Sequence, residues 1–281
     1  MPKISKELEE FRKKIDNIDC KIISLIEDRM EVVKEVAKFK TRKKHKFFIK
    51  SAREADMINE LIQKSSNNLF NETILSIWRK IITNANLLEQ EIKIALHNPD
   101  KNNDYIHPLR EYFNNLVPIN NFENASNIIH SLEKNEFQIA AFSLPKSPDN
   151  TNNKNWWINF AANNDVKIYA KTSFGKENDD DNLELVLAAK KEVEKSKSDN
   201  TLTVIEFEKS VNKSDINLEL KSLEIDFKIL DQSNLSQIDN IDFYLIELKG
   251  FFDIKNAKIQ KFLQSKLKPF IKIIGYYANS I

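Results

Sequence analysis

Residues 8–19 read Leu-Glu-Glu-Phe-Arg-Lys-Lys-Ile-Asp-Asn-Ile-Asp and begin a stretch without proline or glycine that continues to Arg42. Its apolar residues recur every three or four positions, which is the spacing of a helix that packs along one face. This face, called the seam below, comprises Leu8, Phe11, Ile15, Ile18, Ile22, Leu25, Arg29, Val32, Val36 and Phe39. The pattern predicts one helix from about residue 5 to residue 42.

The predicted first helix is too long for a compact domain built from this segment alone. About 38 residues span about 57 Å at a rise of ~1.5 Å per residue, and the seam needs cover over that whole length. Two further helical patterns, at about 52–64 and 71–91, together have a similar length. Since a second copy of the chain would complete the burial, we expect an intertwined helical homodimer formed through the first helix.

One member of the seam is charged. Arg29 stands where the spacing calls for an apolar residue, and Lys40 lies within about 20° of the same face at ~100° per residue. A guanidinium on a buried face requires an anionic partner, because an unpaired buried charge is very costly. At this point two interpretations are open: an internal Arg–Glu pair beside a lysine that reaches to solvent, or cations placed for an anionic ligand.

Composition excludes several classes of protein. A chain of 281 residues with a net charge of +1 predicts two or three domains and gives no general attraction to nucleic acid. Three glycines are too few for a glycine-rich phosphate loop. The single cysteine, Cys20, indicates a reducing compartment, and no apolar run is long enough to span a membrane. We therefore expect a cytoplasmic protein without nucleic-acid or membrane partners.

Several charged residues share the spacing of a known family. They are Arg12, Glu27-Asp-Arg29-Met-Glu31, Lys40 and Arg53-Glu54, followed by Ile77-Trp-Arg-Lys-Ile-Ile82. Residues 4–90 thereby resemble the all-helical bacterial chorismate mutases, which form the N-terminal domain of bifunctional chorismate mutase/prephenate dehydratases. In that family the fold is an intertwined dimer of three-helix chains.

The resemblance implies an isomerase of the shikimate pathway, which rearranges chorismate to prephenate in phenylalanine and tyrosine biosynthesis without a metal or cofactor. By the same resemblance, Arg12 and Arg29 bind substrate carboxylates, and Lys40 contacts the breaking ether oxygen and a carboxylate. Glu54 accepts a hydrogen bond from the ring hydroxyl, and Arg53 supports the pocket. Because Arg12 lies about 25 Å from Arg29 along one helix at ~1.5 Å per residue, it is expected to serve the site of the partner chain. Glu54 has an alternative role, which is only to cap its helix.

Three positions depart from the family pattern. Lys50 replaces an aspartate, and Ala85, at a substrate-binding position, lacks the hydroxyl of the family's serine. Glu89 stands in place of the glutamine that donates to the ether oxygen, although Gln90 follows directly. With Lys40 and Arg29 as the other catalytic residues, we expect a protonated Glu89 to be the donor, so that activity falls from mildly acidic to neutral pH.

The rest of the chain predicts α and β elements. We expect a multidomain protein: an all-α chorismate mutase domain at 1–91, a truncated dehydratase-like α/β region at 92–200, and an α+β ACT-like domain with βαββαβ order at 201–281. Loops are predicted at 145–155 and 176–182. The stretches 251–253 and 270–277 are similar to the ACT regulatory domain of the bifunctional enzymes. No Thr-Arg-Phe motif follows Glu91, so we expect a degenerate remnant without dehydratase activity.

Two other functions remain open from the sequence. The same helical fold hosts isochorismate pyruvate lyases, in which Lys40 and the arginines have a similar pattern. A non-catalytic regulatory or interaction protein on the mutase scaffold is the second alternative, favoured by Ala85 and Glu89 and opposed by the complete set of cations. The sequence leaves open whether the C-terminal half binds an effector or another enzyme.

Overall fold

A computed structural model describes residues 6–42, 47, 49–66, 68–101, 103–145, 155–173, 183–192, 194–208, 211–233 and 241–279. The predicted loop 176–182, and the predicted loop 145–155 apart from its two end residues, lie outside these ranges.

Three helices form the N-terminal part of the chain, as the sequence pattern predicts: α1 (Lys6–Arg42), α2 (Ser51–Lys64) and α3 (Asn71–Glu89). Helix α3 contacts both α1 and α2. A small apolar core joins α2 to α3 and consists of Ala55, Ile58, Leu75 and Ile82. Because α2 and α3 are much shorter than the 37 residues of α1, they cover only part of it.

The seam of α1 lies outside this core. Its nine apolar members are all exposed in the single chain, from Val36 at 39% to Leu25 at 68%. Only Met30 of α1 is buried, at 8% exposed. The seam therefore does not pack on α2 and α3, and its burial by a second copy stays a prediction.

A mixed sheet of nine strands fills the rest of the described chain, in the spatial order β2-β1-β3-β5-β4-β9-β6-β8-β7. The strands are β1 (Ile94–His97), β2 (Ile119–Phe122), β3 (Ile139–Ser143), β4 (Val166–Lys171), β5 (Leu185–Lys190), β6 (Asp199–Glu208), β7 (Phe227–Ser233), β8 (Ile241–Lys249) and β9 (Phe270–Ala278). The helices are α4 (Ile106–Tyr112), α5 (Ala125–Glu133), α6 (Trp156–Ala161), α7 (Lys213–Ser222) and α8 (Ala257–Leu263), and a 3-10 turn at Asn103–Tyr105 precedes α4.

The two C-terminal regions predicted from the sequence share this one sheet. The boundary predicted after residue 200 falls inside β6, and β4 pairs with β9 where Ile168 faces Gly275. A Cβ at Gly275 would lie 2.2 Å from the Ile168 carbonyl oxygen, so only glycine permits this contact. The predicted βαββαβ order is present as β6-α7-β7-β8-α8-β9. Its assignment as a separate ACT-like domain stays a prediction.

Helix α2 joins the helical part to the sheet. It packs on β9, and Ala278 of β9 contacts the core between α2 and α3. Lys197 donates from its backbone amide to the Asp56 carboxylate at 3.1 Å, and its ammonium forms an ion pair with Glu60 at 2.9 Å. The region from β1 to β9 is called the α/β half below. The first turns of α2, which carry Arg53 and Glu54, are therefore held against this half.

Among the described helices, none combines the length and the apolar character that crossing a bilayer requires.

Candidate active site

The ends of α1 and α3 bring two predicted site residues into contact. The Lys40 ammonium donates a hydrogen bond to the Glu89 carboxylate, and the two side chains are only 16% and 8% exposed. This ion pair replaces the interpretation of Lys40 as a lysine that reaches to solvent. A shielded pair is much more strongly coupled than one at the surface.

Glu54 points from α2 towards α3. Its carboxylate accepts a hydrogen bond from the Asn86 side-chain amide at 3.1 Å and forms an ion pair with the Arg79 guanidinium at 3.5 Å. The start of α2 has no side-chain cap, so the interpretation of Glu54 as a capping residue is wrong. A carboxylate fixed from two sides is suited to accept a hydrogen bond at a defined position.

Arg29 lies half-buried on α1 beside these carboxylates. Burial lowers the pKa of its guanidinium, Glu54 and Glu89 oppose that change, and the positive charge of Arg53 adds to it. Its buried Nη1 atom has no hydrogen-bond partner among the described residues. The structure therefore places a partly desolvated cation within the field of two carboxylates, with one buried donor that makes no hydrogen bond to the described residues.

The remaining predicted residues differ in their surroundings. Arg12 is exposed on α1, 17 positions before Arg29, or about 25 Å at ~1.5 Å per residue. Within this chain it lies outside the cluster formed by Arg29, Lys40 and Glu89. Arg53 is exposed near Arg29, and Ala85 is buried at 5%. Roles of these residues in a site stay predictions.

Lys50, which departs from the family pattern, contacts a residue of the α/β half. Its ammonium forms an ion pair with Glu194, which follows β5. Lys191 also reaches this point and donates to the Ile49 carbonyl oxygen at 3.1 Å. Burial lowers the pKa of Lys191 to about 8, while Glu194 and Glu54 oppose the shift. Two lysine contacts thus hold the entry to α2 against the sheet.

Sequence reasoning missed two residues of α3 that contact Glu54, the buried Arg79 and the partly buried Asn86. Arg79 belongs to the motif at 77–82 but received no role, although it is 5% exposed and contacts Glu54. The signal was available, because residues seven positions apart share one face of a helix. The third missed residue, Tyr112 of α4, lies under the Arg79 guanidinium with 4.1 Å between guanidinium carbon and ring centroid. No local pattern connects Tyr112 to α3.

Two curated proteins are similar to the N-terminal part of the chain. They are the bifunctional chorismate mutase/prephenate dehydratases of Pseudomonas aeruginosa (30% identical) and Stutzerimonas stutzeri (29% identical), each over 98 residues, which are 34% of this chain and 27% of the relative. The chain thus spans about a quarter of the length of the curated relatives it matches.

Two solved structures align with about two thirds of this chain. A prephenate dehydratase from Streptococcus mutans has a TM-score of 0.45 at 15% identity and covers 67% of this chain and 98% of its own. GqqA, described as a novel type of quorum quenching acylase, has a TM-score of 0.48 at 10% identity, with 68% and 96% covered. At these scores the likenesses assign no function to the α/β half.

The family model that matches the chain is chorismate mutase type II, over residues 11–90. This range contains α2, α3 and most of α1, together with Arg29, Lys40, Glu54 and Glu89. The helical N-terminal part of this chain is a chorismate mutase type II domain.

Proposed function

We propose that the chain catalyses the rearrangement of chorismate to prephenate. The single observation that carries the proposal is the partly desolvated Arg29 guanidinium, which lies in the field of Glu54 and Glu89 and has a buried N–H donor without a hydrogen-bond partner among the described residues. Chorismate carries two carboxylates, and a guanidinium binds a carboxylate through two parallel hydrogen bonds. The match to chorismate mutase type II supports the same substrate.

The proposed reaction breaks the ether C–O bond and forms a C–C bond in one step, with no proton transfer and no nucleophile. The side chains therefore only have to hold the compact substrate conformer and stabilise negative charge that develops on the ether oxygen. Arg29 binds a carboxylate, Lys40 donates to the ether oxygen and a carboxylate, and Glu54 accepts from the ring hydroxyl. Arg53 supports the pocket. The step needs no metal or cofactor.

The Lys40–Glu89 ion pair shapes this proposal. In the structure Glu89 accepts the hydrogen bond of Lys40 that the ether oxygen requires. The substrate has to draw Lys40 away from Glu89, and Glu89 donates to the ether oxygen only when it carries a proton. Ala85 adds no hydroxyl contact to a carboxylate. We therefore propose a mutase with weak substrate binding.

A second copy of the chain completes the proposed site. Arg12 is too far along α1 to reach a small ligand bound at Arg29, and the exposed seam between them requires cover. In an intertwined homodimer, Arg12 of one protomer binds a carboxylate in the site of its partner. The seam supplies the apolar area that such an interface buries.

The α/β half is proposed to be a dehydratase remnant with an ACT-like end, without dehydratase activity, because its sequence has no Thr-Arg-Phe motif. The contacts of Lys191, Glu194 and Lys197 with the helical domain support a stabilising or regulatory role. A pyruvate lyase acting on isochorismate is the alternative enzyme, and the same cations would bind that substrate.

Turnover by the purified full chain tests this proposal. Chorismate should be consumed and prephenate formed without added metal, isochorismate should be a poor substrate, and no phenylpyruvate should form from prephenate. Arg29→Ala should lose at least about 100-fold in kcat/KM, since it removes a charged contact to the substrate. Chorismate that stays intact, or faster turnover of isochorismate, would contradict the mutase proposal. Phenylpyruvate formation would contradict the remnant proposal.

A further inference from the structure

We infer that the α/β half supplies a positioning residue to the mutase site: Tyr112 fixes Arg79, and Arg79 fixes the carboxylate of Glu54. The inference rests on the proposed function and extends the site beyond the helical domain. Tyr112 ends α4, whereas Arg79 belongs to α3 and Glu54 to α2. Three elements from both parts of the chain therefore determine where one substrate acceptor lies.

The contacts form a continuous buried chain. The Tyr112 ring lies 4.1 Å from the Arg79 guanidinium carbon, and an Arg79 nitrogen lies 3.5 Å from a Glu54 carboxylate oxygen. Tyr112 is 8% exposed, Arg79 is 5% exposed, and the Glu54 side chain is 11% exposed. A guanidinium on an aromatic face is stabilised most when both are shielded from water.

The neighbouring residue of α3 fixes the distance to α4. The Lys80 ammonium donates to the carbonyl oxygens of Arg110 at 2.7 Å and Glu111 at 3.1 Å. These carbonyls directly precede Tyr112, so Lys80 ties the end of α4 to the turn of α3 that carries Arg79. Two adjacent α3 residues therefore bind one end of α4: Lys80 binds the backbone of α4, and Arg79 contacts the ring of Tyr112.

The ring of Tyr112, and not its charge, does the positioning. Burial raises the pKa of the Tyr112 hydroxyl to about 12, so the side chain is neutral throughout the pH range of an enzyme assay. Removing the hydroxyl leaves the aromatic face under Arg79 in place and takes away only the hydrogen bond between the hydroxyl and Arg79. Removing the ring lets the guanidinium adopt other rotamers, and Glu54 then keeps only the 3.1 Å contact with Asn86.

Steady-state kinetics of three full-length variants test the inference. Tyr112→Leu should raise KM for chorismate about tenfold with a smaller change in kcat, because Glu54 contacts the ring hydroxyl before and during the reaction. Tyr112→Phe keeps the ring and should raise KM much less than Tyr112→Leu does. The matched control is Tyr105→Leu, since Tyr105 is also 8% exposed and lies in the same apolar cluster. This control should lose stability and keep its KM.

A double-mutant cycle separates positioning from general damage. In a Glu54→Gln background, Tyr112→Leu should change KM by less than about twofold, because the group it positions is already altered. The cycle consists of wild type, Glu54→Gln, Tyr112→Leu and the double variant. Thermal unfolding of these four proteins should give non-additive shifts in Tm, and this measurement needs no turnover. Additive effects in the unfolding cycle, or equal KM increases in Tyr112→Leu and Tyr105→Leu, would overturn the inference. Wild-type protein that does not consume chorismate would overturn the proposed function. The unfolding cycle would still show whether Tyr112 and Glu54 are coupled.

Discussion

The two halves of α1 have the same apolar spacing but different surroundings. From Lys6 to Leu25 every residue is exposed, whereas Met30 is buried and Ile26, Arg29, Val33, Ala37 and Lys40 are partly covered. Asn84 and Glu89 of α3 contact the later half, at Met30 and Lys40. A regular seam thus predicts a helix and its apolar face, but it does not reveal which polypeptide covers that face.

The residues of the proposed site are distributed over both halves of α1. Arg29 and Lys40 lie on the covered half, next to the carboxylates of Glu54 and Glu89, and Arg12 lies on the exposed half. If the exposed half exists to meet a second protomer, the charges of the two halves belong to the same site only in the assembled dimer. Perturbing each half separately tests this division.

The largest effect is expected from a charge on the seam within the exposed half of α1. Ile18→Asp should abolish the dimer and most mutase activity, because a buried isoleucine stabilises by roughly 1.5–3 kcal/mol in each protomer and an unpaired buried carboxylate costs more. Light scattering after size exclusion measures the mass. Lys13→Glu is the control, since it alters charge on the far side of the same helix. A dimeric, active Ile18→Asp protein would remove the proposed role of the seam.

A smaller effect is expected on the covered half. Glu89→Gln should lower KM for chorismate and raise kcat/KM near pH 7 by about tenfold, since it releases Lys40 from its carboxylate partner and supplies an amide donor. The pH profile of kcat/KM should also become flatter. Glu91→Gln makes the same change at an exposed position and should have no effect. If Glu89→Gln and wild type share one profile, Gln90 becomes the candidate donor.

Much of the fold is readable from the sequence. The three helices are confirmed within a few residues, because their apolar periodicity is long and uninterrupted. The predicted βαββαβ order of the last 81 residues is also present. The chorismate mutase assignment is confirmed by the family match over 11–90, a range that contains Arg12, Arg29, Lys40, Arg53 and Glu54.

The contacts between the helical part and the α/β half could not be predicted from the sequence. Glu194 as partner of Lys50, and Tyr112 as support of Arg79, depend on how α2 and α4 meet the sheet. The shared sheet depends on Gly275, whose missing side chain admits Ile168. A glycine within a strand pattern is equally typical of a β-bulge or a sharp bend, so the pattern alone does not reveal a neighbouring strand. Such pairs are distant in the sequence and follow only from the tertiary fold.

The central claim is that a dimer assembles each active site from both halves of α1. Arg12→Ala and Arg29→Ala proteins should each be nearly inactive, and their mixture, unfolded and refolded together, measures the claim directly. Random pairing makes about half of the molecules heterodimers, each with one site that has lost both arginines and one that has lost neither. A shared site predicts recovery of about a quarter of wild-type activity. Demonstrated heterodimers without any recovered activity would contradict it.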